Sequence, residues 1–100
     1  MDFIYQNSKF IGNWHIEYTV AQLSYSNNTT LRGYHLFSGP VLAAVATIEN
    51  TAGTPVTQTS NVYVDCKYGG TGSRVEVYAM GSGYVSGHVL QVNVIAVVQD

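Results

Sequence analysis

Charge is scarce in this chain: ten of its 100 residues are Asp, Glu, Lys or Arg, against roughly one quarter in a usual soluble domain. Only four are basic, Lys9, Arg32, Lys67 and Arg74, and they are scattered along the sequence. Nothing resembles the cationic stripe that neutralises a run of phosphates, so nucleic acid is not an expected partner. Cysteine is nearly absent as well. With Cys66 alone, neither a disulfide framework nor a thiolate zinc cluster can form within one chain. No apolar run approaches the roughly 18 residues of a membrane-spanning helix, so membrane insertion is not expected. Residues 1–10 lack the basic start and apolar core of a signal peptide, and cytosolic synthesis without a leader is the expectation.

Apolar residues make up 46% of the chain, with ten glycines and eight tyrosines. Such a composition leaves Ser, Thr, Asn, Gly and Tyr to cover the surface, which suits burial against other subunits. The length is that of one domain, residues 1–100, able to bury roughly 60–65% of its unfolded surface. Residues 1–12 are read either as a strand or as an N-terminal attachment arm.

Period-two patterning dominates the rest. In residues 14–23, Trp14, Ile16, Tyr18 and Val20 alternate with His15, Glu17 and Thr19, as in a half-buried strand. Asn27, Asn28, Thr29 and Thr30 form a polar turn. Residues 31–38 resume a strand, Gly39 and Pro40 punctuate, and residues 41–48 are apolar on both faces, a strand expected to be covered on two sides. Residues 51–60 read as a loop. In residues 61–68 Val62, Val64 and Cys66 alternate with Tyr63, Asp65 and Lys67, which face out. Residues 69–72 are a glycine-rich hairpin turn. The returning strand carries Val75 and Val77 inward and Arg74, Glu76 and Tyr78 outward. After the loop of residues 81–87, the last strand has Leu90, Val92, Val94, Ala96 and Val98 on its inner face. Its outer face turns from polar (Gln91, Asn93) to apolar (Ile95, Val97), so it requires cover on both sides. The expected fold is therefore all-β, a six- to seven-stranded antiparallel β-sandwich or small barrel, assembled into a symmetric homo-oligomer.

Chemistry-bearing patterns are thin. Cys66 occupies an inward strand position and reads as a small core residue. Glu17, Glu49, Asp65 and Glu76 lie on separate segments without a pairing cue for glycosidic chemistry. His15, His35 and His88 lack metal-ligand spacing, and the glycines at 69, 70, 72, 81 and 83 do not open a helix as a phosphate cradle would. No enzyme activity, cofactor or metal is expected. Tyrosines supply the remaining signal. A phenol offers an apolar plate to the face of a sugar and a hydroxyl to its rim. Tyr63, Asp65, Tyr78, Tyr84 and His88 are the candidate ligand-binding residues, while Arg74, Glu76, Ile95 and Val97 are candidates for the oligomer interface.

The order Phe37-x-x-Pro40-Val41 before an apolar strand, Asn61-Val62-x-Val64, the turn Thr71-Gly72 with Arg74-Val75-x-Val77, and Val92-Asn93-Val94-Ile95-Ala96 resembles the H-type lectin domain. It is similar also to the small receptor-binding domains that end many bacteriophage tail fibres. The resemblance spans residues 37–98. It implies a six-stranded antiparallel sandwich that forms trimers through strand faces and holds ligand near the subunit boundary. Val94 stands where the family has tryptophan, and Val62, Val64 and Asp65 stand where sugar-binding members place an arginine, so the family's GalNAc-type specificity is not carried over. The function implied is a tail-fibre or tail-tip receptor-binding domain of a virion, contacting host-surface glycan or protein. A structural virion protein that cements capsid or tail, and a soluble lectin of the same type, are the alternatives.

Overall fold

The computed structural model describes residues 13–49, 54–66 and 72–100. They form β1 (Trp14–Asn27), β2 (Thr30–Leu36), β3 (Val41–Ile48), one helical turn α1 (Thr54–Gln58), β4 (Thr59–Asp65), β5 (Arg74–Gly81) and β6 (Val89–Gln99). The chain is all-β, with its six strands antiparallel in a single sheet of order β3-β6-β1-β2-β5-β4. The N-terminal segment 1–12, Lys67 and all of the 69–72 turn except Gly72 lie outside the described residues.

The long strand β1 is the corner of the sheet. From Trp14 to Ser24 it pairs with β6, and only at Ser24, Tyr25 and Asn27 does it pair with β2. The Asn27 side chain closes that hairpin, accepting hydrogen bonds from the backbone N–H and the hydroxyl of Thr29, at 3.0 and 2.8 Å. The sheet curls so that β3-β6-β1 and β2-β5-β4 face each other across one core, a nearly closed barrel. Leu90, Val92, Val94, Ala96 and Val98 of β6 meet Leu31 of β2 and Val75, Val77 and Ala79 of β5 there, all of them buried. Val62, Val64 and Cys66 pack against this core from β4, as their alternation predicts. The edge strands β3 and β4 approach without pairing, and a groove of about 370 Å³ follows their seam.

Two local differences from the sequence reading have clear causes. The 51–60 loop contains α1: Pro55 pre-sets a helical φ near the start of the turn, and the Thr59 hydroxyl donates to the Pro55 carbonyl at its end. The alternation of β1 is present, but its apolar row points away from the core. Ile16, Tyr18 and Val20 are 63%, 61% and 44% exposed, whereas His15, Glu17 and Thr19 are half-buried. Further along the strand the inward row becomes apolar, with Ala21 and Leu23 in the core.

Candidate functional site

The two halves of the sheet carry contrasting outer surfaces. On β3-β6-β1 the outward rows are Ala43, Val45 and Thr47 beside Val97, Ile95 and Asn93, which in turn lie opposite Ile16, Tyr18 and Val20. Ile95 and Val45 are 45% and 58% exposed, and Trp14 continues the patch. Those outward rows bear no charged side chain. The large side chains, each roughly half exposed, offer on the order of 600 Å² of mostly apolar surface, the upper end for a monomer's largest patch. Within it Tyr18 donates to Asn93 Oδ1 at 2.7 Å, and Asn93 Nδ2 donates to the Thr47 hydroxyl at 3.4 Å.

The outer surface of β2-β5-β4 is aromatic and charged. Register places Arg32, Tyr78 and Tyr63 in one row, Tyr34, Glu76 and Asp65 in the next, and Leu36 with Arg74 in the third. Glu76 is at the centre and 6% exposed. Its Oε1 accepts from Nη2 of Arg32 at 3.0 Å and lies 3.5 Å from Nη2 of Arg74, and the Tyr78 hydroxyl donates to Oε2 at 3.4 Å. The Arg74 guanidinium rests 3.9 Å above the Tyr34 ring, and Arg32 lies 5.7 Å from the centroid of Tyr78. Tyr63 and Tyr78 are stacked with centroids 5.0 Å apart. Thus Tyr63, Asp65, Tyr78, Arg74 and Glu76, chosen from the sequence, are brought together on one face.

Beside this array the β1–β2 ladder ends at Ser24 and Arg32, and a cleft of about 400 Å³ opens. Gln22 and Ser24 line it from β1, Arg32, Gly33 and Tyr34 from β2, and Arg74 and Glu76 from β5. Gly33 is required at this fork, because a Cβ there would stand 2.6 Å from the Gln22 carbonyl oxygen. Arg32 and Gln22 were not singled out from the sequence, whereas Tyr34 was among the tyrosines read as outward. All three become neighbours of Glu76 only through register between distant strands, which no local pattern encodes.

Tyr84 and His88 lie elsewhere. Tyr84, expected as a ligand plate on a loop, is 2% exposed. Its ring belongs to the core, and its hydroxyl is hydrogen-bonded to the Thr59 hydroxyl at 2.6 Å. His88 meets that ring edge-on, 6.4 Å between centroids, and its Nδ1 accepts from the Val85 N–H at 3.2 Å. Arg74 and Glu76, expected beside Ile95 and Val97 at an oligomer contact, occupy the opposite half of the sheet.

A further cluster was missed entirely. The β1–β6 register carries Asp100 to the end of β1, where His15 Nδ1 bonds the Asp100 carboxylate and Nε2 lies 2.5 Å from Glu17 Oε2. Ser38, following β2, donates its hydroxyl and its N–H to Glu17. Bonding to Glu17 first and Asp100 second raises the His15 pKa above 6.5, and the Ser38 and His15 bonds hold the Glu17 carboxyl down at about 2 from 4.5. The His-x-Glu spacing on one strand face was the available signal. Ser38, His15 and Asp100 have the composition of an acyl-transfer triad, but the Ser38 hydroxyl donates to Glu17, a carboxylate too weakly basic to take its proton. The arrangement is a clasp that ties Asp100 and the β2–β3 connection to β1. Both imidazole nitrogens are occupied, and among the described residues no group of three His, Cys, Asp or Glu is placed to hold a metal.

Burial, with Asp65 adding to it, pushes the Cys66 thiol pKa up, which keeps it a thiol packed against the core. Among the described residues no helix is long and apolar enough to cross a membrane. No family model, curated protein or solved structure matches this chain.

Proposed function

We propose that this chain is a non-enzymatic binding protein that assembles with copies of itself through the apolar outer face of β3-β6-β1 and presents the aromatic, arginine-bearing face of β2-β5-β4 to a ligand. The single supporting observation is this division of one sheet into a charge-free outer half and a polar, cleft-bearing outer half. A second copy is the occupant that fits the apolar half. The area of roughly 600 Å² approaches the ~800 Å² each partner gives to a standard interface. A face without charge can meet its own image without like-charge repulsion, whereas discrimination of a foreign partner usually draws on complementary charge.

The resemblance to H-type lectins and tail-fibre tips gives this reading its setting: a homotrimer at the tail of a virion, with the opposite face contacting host-surface glycan or protein. The test is to measure the mass of the purified 10.9 kDa chain in solution and its retention on host cell envelopes. Trimers that bind envelopes support the proposal. Monomers refute the assembly, and trimers without affinity for any envelope or glycan array refute the receptor role. Immunogold labelling that decorates a capsid lattice would replace the tail assignment with the cementing one.

A further inference from the structure

Resting on the proposed function, a sharper statement concerns what the polar face binds. Arg32 and Arg74 are the only Lys or Arg side chains among the described residues, and both converge on one cleft. Two guanidiniums side by side repel, and Glu76 offsets only one of the two charges. Asp65, opposite Glu76 in register, is not part of the lining, which therefore carries one net positive charge within a chain of net charge −2. Each arginine places Nη2 toward Glu76, which leaves the rest of each planar fork to meet a second carboxylate. Aromatic contacts fix both forks in advance, Arg74 over Tyr34 and Arg32 near Tyr78, which reduces the ordering cost of binding.

We infer that the cleft between β1, β2 and β5 binds a carboxylate-bearing sugar residue, such as a uronic or nonulosonic acid of a surface glycan. The guanidiniums take the carboxylate. The half-exposed ring of Tyr34 takes the apolar face of the pyranose, and Gln22 and Ser24 take its hydroxyls. A volume of about 400 Å³ admits one or two sugar rings. The net negative charge of the chain disfavours a polyanion, so the fit is to a single negative charge on a polyhydroxylated body.

The test is titration of the labelled protein, followed by amide shifts, with methyl glucuronide and N-acetylneuraminic acid as probes. Methyl glucoside, acetate and sulfate are the comparators. The expected result is millimolar binding of the acidic sugars, at least tenfold tighter than methyl glucoside or acetate, with shifts at Gln22, Gly33 and Tyr34. R74Q, which leaves Glu76 paired with Arg32, removes that tenfold preference. R32K, which keeps the charge but not the fork, weakens it about fivefold, and circular dichroism confirms that each variant is folded. Equal binding of glucuronide and glucoside, equal binding of acetate and the acidic sugars, or shifts confined to other strands would each overturn the inference. A chain that forms trimers and binds envelopes while ignoring acidic sugars refutes this ligand class alone, since the assembly and receptor readouts are measured separately.

Discussion

Replacing Ile95 with aspartate perturbs the apolar face while leaving the core of a single chain untouched. Ile95 points outward between Tyr18 and Val45 in register, 45% exposed, so within one subunit the substitution counts as a surface change, worth roughly 0.5 kcal/mol or less. Covered by a neighbour, the same position loses the roughly 1–2 kcal/mol gained by burying the rest of the side chain. It also acquires an unpaired buried carboxylate, for which ~3–5 kcal/mol is a fair penalty. The total of about 5 kcal/mol corresponds to a dissociation constant weakened roughly 10³- to 10⁴-fold. Light scattering after size exclusion should therefore show folded monomers at concentrations where the unmodified chain is assembled. Trp14, the only tryptophan, lies on the same face and gives an independent readout: its emission should shift to the red and become quenchable by iodide in the variant. An I95D protein of unchanged mass with a protected Trp14 would refute the placement of the interface. An unfolded variant would refute the claim that Ile95 is peripheral to the subunit core.

Tyr84→Ala should cost about 3–5 kcal/mol in denaturant unfolding, because it empties a core position and removes the hydrogen bond to the Thr59 hydroxyl; a loss under 1 kcal/mol would contradict the buried placement. Gly81→Ala would drive a Cβ to within 2.1 Å of the Gln58 carbonyl oxygen and 2.8 Å of the Tyr84 hydroxyl, so a destabilisation of roughly 2–3 kcal/mol is expected in the same assay. The clasp predicts a pH window. The Glu17 contribution is present above its ordinary 4.5 and is lost as pH falls toward about 2, while the His15 contribution is present below 6.5 and is lost as pH rises through its raised value. An NMR titration should place the His15 pKa above 6.5 and Glu17→Gln should lower it; an unchanged value in that variant would dissolve the clasp.

Legibility in the sequence followed the range of the interactions. The faces of β4, β5 and β6 follow directly from period two: Val62, Val64, Val75, Val77 and the Leu90 to Val98 row all pack inward as their alternation requires. The same rule delimits β1 but does not orient it. Its apolar row would ordinarily be the buried one, and what turns His15 and Glu17 inward is their contact with Ser38 and Asp100, 21 and more positions away in sequence. Tyr84 misleads for a related reason. A tyrosine among glycines and serines reads as exposed, and only the position of Thr59 reveals a partner for its hydroxyl. The polar face was half legible: Tyr63, Asp65, Arg74, Glu76 and Tyr78 announce themselves as outward positions on two adjacent strands, but Arg32 and Tyr34 join them only through the β2–β5 register.

Sedimentation equilibrium of the unmodified chain across a wide concentration range addresses the central claim directly, because a free subunit would leave Ile16, Tyr18, Val45 and Ile95 in water. A mass three times 10.9 kDa, persisting into the micromolar range, is the expected result. A soluble species of 10.9 kDa at the highest concentrations attainable would contradict it.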